Sequence, residues 1–401
     1  MDFSFTDDQR LIRDTVRQFM DAEVRPTIRD RDREEKFASA ELRKLGDLGC
    51  CGMLVPESQG GVGADTNSYV LMLEEVARVD AAMAVALSVT NSLAAFPLAK
   101  YGTEAQRQKY LPRLARGEIL GAFCLTEPQA GSDSAAIATS ATRHGAKYHL
   151  NGTKSWVTNG GEAGVYVVFA KTDASAGARS VTAFLAEPSF PGFRVARYED
   201  KMGLRTSRSA EITFTDCEVP EGNRLGDEGQ GLKIALELLD GGRVGIAAQA
   251  VGIAQGALEA SAAYAKQRRA FGKTIGDFQS IQWMLADMQT EIEAARALTH
   301  NAAWMRDQAA PRIGPTASRA KLYAGEMVNR VVYKAVQIHG SQGYSRESDV
   351  ERMYRDARVI TIYEGTSEIQ RLIIARDLLR SRREASAGNS LGVDTTQRVS
   401  R

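Results

Sequence analysis

The sequence predicts a mainly α-helical protein with one central β-domain, in the order α-domain, β-domain, α-domain. Three observations predict it. Apolar residues recur at helical spacing behind capping-box patterns over 1–118. Short β-rich runs separated by Gly, Pro, Ser or charge fill 119–230. Helical spacing then returns over 231–383. A chain of 401 residues, 43% of them hydrophobic, buries a large core, expected in about two or three lobes.

Taken in order, Thr6 and Gln9 have the spacing of a capping box, and Leu11, Ile12, Val16 and Phe19 follow at helical spacing. Arg29–Lys36 mixes both signs of charge and reads as a solvated helix face. Ser39 opens a short amphipathic helix through Leu42, Leu45 and Leu48, stopped at Gly49. Tyr69–Leu98 is a long, Ala-rich helical stretch apolar enough to lie buried between neighbours. Thr103 and Gln106 cap a further helix through Tyr110 and Leu114. In the middle segment, Tyr148–Leu150 and Thr153–Thr158 flank Asn151-Gly152, a pair that suits a type I′ hairpin turn. Val165–Lys171, Val181–Glu187, Phe193–Tyr198 and Ala210–Thr215 follow as strands. The run Val244–Ala263 predicts tightly packed helices, although Gly245, Gly252 and Gly256 lower helix propensity. The Ser/Arg/Asn/Thr-rich stretch 384–401 reads as a loose tail.

Composition removes several function classes. A formal net charge of +1 without a dense Lys/Arg block argues against nucleic-acid binding. Cys50, Cys51, Cys124 and Cys217 show no C-x-x-C spacing, and adjacent Cys50-Cys51 is a poor framework disulfide, which points to a reducing compartment. Four scattered histidines without an H-x-x-x-H pattern predict no metal site. The acidic N-terminus lacks leader character, and no apolar run reaches membrane-spanning length, so no membrane association and a cytoplasmic location are expected. Gly272-Lys-Thr274 ends like a P-loop but has Gln267 where the upstream glycine belongs. Gly60-Gly-Val-Gly63 is not G-x-G-x-x-G, so a Rossmann site is not expected.

The chemistry concentrates in Thr361-Ile-Tyr-Glu-Gly-Thr-Ser-Glu-Ile-Gln370. Glu364 lies in a loop before a helix that the Ser367/Gln370 spacing predicts to start with a capping box. A carboxylate there is favoured as an anion by exposed amides, and Gly365 leaves room for close approach. Elsewhere the residues alone leave two readings each. Phe123–Ser132 is a phosphate-binding loop or a surface turn, Trp156 a cofactor contact or hairpin core. Arg268 is a ligand or a helix-end cation, and Asp240-Gly-Gly-Arg243 a binding segment or a helix kink.

These segments, with Trp156-Val-Thr158, Arg268-Arg-Ala-Phe-Gly272, Gln279 and Gln337-Ile-His-Gly-Ser-Gln-Gly-Tyr344, resemble the acyl-CoA dehydrogenase family in order and spacing over roughly residues 3–380. The resemblance implies FAD as cofactor, an acyl-CoA substrate, an electron-transfer flavoprotein as partner and a homotetramer. It makes Glu364 the catalytic base that takes the α-proton while the flavin takes the β-hydride, the thioester carbonyl being held by the Glu364 amide and a flavin ribityl hydroxyl. Some family members carry the base immediately before the Arg matching Arg243; that position is Gly242 here. The implied FAD contacts are Phe123, Leu125, Thr126, Gly131, Ser132, Trp156, Thr158, Arg268, Phe271, Gln279, Gln337, Gly340, Ser341, Thr366 and Glu368, with Arg268 reaching the pyrophosphate of a neighbouring subunit. Ser341 stands where the family usually has glycine. The implied substrate contacts are Ser132, Asp240, Arg243, Tyr363, Glu364 and Gly365. Asn91-Ser-Leu93 and Leu239–Arg243 look most like short-chain and butyryl members, while an oxidase of the same fold and branched, cyclic or carrier-bound acyl thioesters stay open.

Overall fold

The computed structural model describes residues 4–173, 175–310 and 312–389. Seven helices come first: α1 (Asp7–Phe19), α2 (Ile28–Glu34), α3 (Ser39–Asp47), α4 (Thr66–Val79), α5 (Ala81–Ser88), α6 (Phe96–Tyr101) and α7 (Glu104–Ala115). Both predicted capping boxes close: Thr6 Oγ1 accepts from Gln9 N at 3.2 Å and Thr103 Oγ1 from Gln106 N at 3.3 Å. The single helix expected over Tyr69–Leu98 is broken. Asp80 leaves helical geometry after α4, and its carboxylate accepts from the Ala82 and Met83 amides at 3.0 and 3.1 Å to start α5. Val89–Ala95 is then a π-helical segment before α6. Contrary to expectation, the run Ala81–Tyr101 is long and apolar enough to cross a bilayer, but 94% of its apolar window is buried inside the fold. The charge run on α2 is also less solvated than its composition suggests. Arg31 and Asp32 are buried, Arg31 against Asp80 at 3.1 Å and Asp32 against Arg355 at 2.6 Å, because the chain folds opposite charges onto them.

The strands are β1 (Leu120–Cys124), β2 (Ser140–His144), β3 (Lys147–Thr158), β4 (Ala163–Lys171), β5 (Val181–Ala186), β6 (Phe193–Tyr198), β7 (Ser209–Pro220) and β8 (Arg224–Leu225). They form one sheet in the order β6-β7-β3-β2-β4-β5-β8, with β1 parallel to β4. The hairpin turn is not at Asn151-Gly152. His144 pairs with Lys147, so Gly145 and Ala146 make the turn, and β3 runs on through 151–152 with a register break there. Asn151 is occupied instead by Asp216, to which Nδ2 donates at 2.9 Å and from whose amide Oδ1 accepts at 2.8 Å. Gly152 serves close packing: a β-carbon there would stand 2.5 Å from Thr139 Oγ1.

After the sheet come α8 (Gly231–Gln267), a small hairpin of β9 (Arg269–Ala270) and β10 (Lys273–Thr274), then α9 (Gln279–Asp307), α10 (Ile313–His339), α11 (Asp349–Ala357) and α12 (Ser367–Asn389). The glycines of α8 let it lie directly on α4. A β-carbon at Gly252 or Gly256 would fall 2.3 Å from the Glu74 or Arg78 carbonyl oxygen, so close approach offsets their poor propensity. The first part of the expected tail, 384–389, continues α12, and 390–401 lies outside the described residues. The main apolar core joins α4, α5, α8 and α10, and a second one fills the sheet around Tyr148, Tyr166, Phe184 and Phe214.

Candidate active site

The Glu364 loop follows a 3-10 turn, Arg358–Thr361, at the end of α11. Glu364 and Gly365 are both left-handed, with φ of 53° and 89°. Glycine adopts that conformation freely, whereas a glutamate there is held by its surroundings. The expected capping box at Ser367 is displaced by one residue. Thr366 is the cap, its Oγ1 accepting from Ile369 N at 3.3 Å, and α12 begins at Ser367. Gln370 is fully buried and turns back to the loop, donating to Glu364 O at 3.3 Å and Gly365 O at 2.9 Å. Gly365 O also accepts from Lys321 Nζ of α10 at 2.6 Å. Among the described residues no backbone carbonyl accepts from the Glu364 N–H.

The Glu364 carboxylate points at Gly242 on α8. A β-carbon at Gly242 would lie 2.8 Å from Glu364 Oε2 and 3.5 Å from Leu93 Cδ2. Oε2 is buried without a hydrogen-bond partner. Burial pushes the carboxyl up to about 7, against the lowering influence of Arg243 and Lys321. Arg243 is buried and paired with Asp240 one turn before it, while its Nε has no partner. Tyr363 donates its hydroxyl to Gln249, whose amide is fixed on Ala81 O at 2.6 Å. Tyr363, Glu364, Gly365, Asp240 and Arg243 are thus brought together. A cavity of about 1020 Å³ opens beside Asp240 and Gly241, with Lys100, Arg306, Arg312 and Arg376 on its wall.

A second group lies on the sheet. Ser155 N donates to Thr126 O at 2.9 Å, tying the loop after β1 to β3. Lys154 Nζ donates to Leu125 O at 3.2 Å and to Glu127 at 2.7 Å in a fully closed ion pair. Between them they fix Leu125 and Thr126 against Lys154 and Ser155 of β3, next in sequence to Trp156. Trp156 is not hairpin core. It is 59% exposed with φ of 59°, at a register break between Lys154 and Val157 that turns it outward. Gly131 and Ser132 are exposed on the same loop, whereas the Phe123 ring packs inward on Phe169 at 5.0 Å.

A third group occupies the far end of the bundle. Tyr264 stacks on His339 at 4.4 Å, which sets Arg268, just past α8, near Gln337, Gly340 and Ser341 at the end of α10. Phe271 is 95% exposed on the β9–β10 hairpin, and Gln279 opens α9. Among the described residues no hydrogen bond or ion pair engages the Arg268 guanidinium, and none joins this group to Trp156 or Glu364. Sequence reasoning missed Lys321, Gln249 and the Lys154–Glu127 pair. The available signal was a charge set in an apolar or small-residue run, as with Lys321 between Ala320 and Ala324.

Family models for the acyl-CoA dehydrogenase N-terminal, middle and C-terminal domains match residues 6–118, 122–217 and 229–379. The chain is 44% identical over 380 residues to a short-chain specific acyl-CoA dehydrogenase of Clostridium acetobutylicum, covering 95% of this chain and 100% of that one. It superposes with a TM-score of 0.93 and 47% identity on a chain from a structural study of the electron transferring flavoprotein of Acidaminococcus fermentans, covering 95% of this chain and 100% of that one. Butyryl-CoA dehydrogenase of Megasphaera elsdenii gives 0.92 and 45%, with 94% and 100% covered. A Bacillus anthracis acyl-CoA dehydrogenase complexed with FAD gives 0.89 and 33%, with 96% and 69% covered. On three domain models and near-complete coverage, the chain belongs to the acyl-CoA dehydrogenase family.

Proposed function

We propose that the protein is an FAD-dependent dehydrogenase that converts a short, straight-chain acyl-CoA to the trans-2-enoyl-CoA and passes the electrons to an electron-transfer flavoprotein. The observation that carries this reading is Glu364: a buried carboxyl raised to about 7, unpartnered at Oε2, facing Gly242, whose neighbour Gly241 lines a cavity large enough for a thioester. A base near neutrality is suited to taking an α-proton at physiological pH. In this reading the free Glu364 N–H polarises the thioester carbonyl, Asp240 and Arg243 orient the arm behind it, and the cavity, lined by charges of both signs, receives the rest of CoA.

The residues present fit FAD. The outward-turned Trp156 offers a flat apolar face, the fixed Leu125–Thr126 segment offers backbone groups beside it, and Arg268 carries an uncommitted guanidinium suited to a pyrophosphate. Gly131, Ser132, Thr158, Thr366 and Glu368 complete the near contacts, with Phe123 behind them, its ring turned inward on Phe169, and Phe271, Gln279, Gln337, Gly340 and Ser341 supply those made across a subunit boundary. When bound, FAD supplies the hydride acceptor that no side chain provides. The separation of the Arg268 group from the rest supports an oligomer, proposed as a homotetramer, and a cytoplasmic location is proposed with it.

Anaerobic mixing with butyryl-CoA tests the reaction: flavin absorbance should bleach, and an electron-transfer flavoprotein should restore it faster than air does. Glu364→Gln should keep FAD and bind acyl-CoA while losing reduction by on the order of a thousandfold or more. Reduction within about tenfold of the unsubstituted protein would remove Glu364 as the base. Faster reoxidation by air would make the protein an oxidase.

A further inference from the structure

We propose that Lys321 is the positioning residue of the base loop: by donating to the Gly365 carbonyl it holds the left-handed Glu364–Gly365 turn with the carboxylate against Gly242, and it sets a second cation beside Arg243 in the field of that carboxylate. The inference rests on the reading of Glu364 as the base.

Lys321 lies in the middle of α10 and is 1% exposed, with Ala317, Ala320 and Ala324 around it, all fully buried. A buried ammonium needs compensation, and its one hydrogen bond among the described residues is to Gly365 O at 2.6 Å. Among the described residues no carboxylate lies within ion-pair distance of it. Gly365 O accepts a second bond from Gln370 at 2.9 Å, so both of its lone pairs are engaged. Two successive left-handed residues lie outside any helix or strand ladder and persist only where the surroundings over-determine them. Lys321 from α10 and Gln370 from α12 supply that determination from two directions, and only Lys321 brings charge.

The charge acts on the base. Burial draws Lys321 down to about 8 while Glu364 pulls it back up, and Glu364 in turn is lowered by Arg243 and Lys321. The other groups facing the site are Asp240 on α8, Arg306 of α9 against Gly241, Tyr69 of α4, Glu368 of α12 and Tyr363 in the loop. Removing the Lys321 charge leaves Arg243, already paired with Asp240, as the nearer cation. The Glu364 carboxyl then titrates at higher pH.

The test compares Lys321→Met, Lys321→Arg, Glu364→Gln and the Lys321→Met/Glu364→Gln double variant as FAD-loaded proteins. Two readouts are used: anaerobic flavin reduction across pH, and an infrared titration of the Glu364 carboxyl with Glu364→Gln as the blank. Lys321→Met is expected to slow reduction by roughly ten- to a hundredfold and to move the infrared midpoint and the acid limb upward together by about half a pH unit or more. Lys321→Arg should return the midpoint close to its original value, and the double variant should be no slower than Glu364→Gln. A Lys321→Met protein that loses rate or thermal stability with an unmoved infrared midpoint would reduce Lys321 to packing and overturn the proposal. If Lys321→Met does not fold, Lys321→Arg still decides. An arginine stays charged below about pH 12, so a second, alkaline inflection of the Glu364 band near pH 8 should be present with Lys321 and absent with Arg; its persistence overturns the proposal. Normal reduction by Glu364→Gln would reject the base reading alone, since the infrared midpoint judges Lys321 separately.

Discussion

Burial raises the Glu364 carboxyl from an ordinary 4.5 to about 7, so between those two pH values the folded protein holds a proton that the unfolded chain has released. Stability must therefore fall as pH rises through that window, by roughly 3 kcal/mol in all for a shift of this size. Glu364→Gln removes the penalty. The variant is expected to match the parent in thermal unfolding at pH 4 and to exceed it at pH 8; equal melting at pH 8 would show that the carboxylate is not desolvated. Activity runs the other way, since the base works ionised, and kcat/KM should climb as pH passes about 7. Glu364 was legible in the sequence because its signal is local, a loop motif within ten residues. Lys321 was not, because its partner Gly365 is 44 positions away and only the packing of α10 on the loop makes it a site residue.

At the scale of elements, the π-helical segment Val89–Ala95 places a buried apolar side chain beside the proposed base. It carries Leu93, 1% exposed, whose Cδ2 approaches the same point at Gly242 as the Glu364 carboxylate does. Substrates of about four to eight carbons are expected to have the highest kcat/KM, and Leu93→Ala should shift that preference toward longer chains by about tenfold or more per added methylene pair. An unchanged chain-length profile would place the pocket end elsewhere. Helix starts were readable where a cap and its partner are three residues apart, as at Thr6 and Thr103. The breaks at Asp80 and at the π segment were not, since uniformly apolar sequence has the same appearance in a straight helix and an interrupted one. Asn151-Gly152 failed for a related reason: a cross-strand partner, Asp216, holds Asn151 in the strand that local turn chemistry would have ended.

For the whole molecule, the proposal assigns Arg268, Gln337 and Ser341, gathered where Tyr264 stacks on His339, to the cofactor of a neighbouring subunit. Arg268→Ala is expected to weaken FAD retention by on the order of 2 kcal/mol while leaving the chemistry of flavin-loaded protein intact. Dilution followed by gel filtration and flavin absorbance measures it, and full occupancy with an unchanged oligomer would defeat the idea. The α–β–α order was legible because it is written in periodicity. How the end groups meet another subunit was not, because an exposed Phe271 or Arg268 looks the same on a free surface as on an interface.

A β-carbon at Gly242 would stand 2.8 Å from Oε2, the far end of the Glu364 side chain. Any side chain at 242 therefore competes with the carboxylate for the place it now occupies and would have to turn it aside. The bareness of residue 242 thus helps to aim Glu364: the carboxylate rests where it does partly because nothing projects from the helix opposite it.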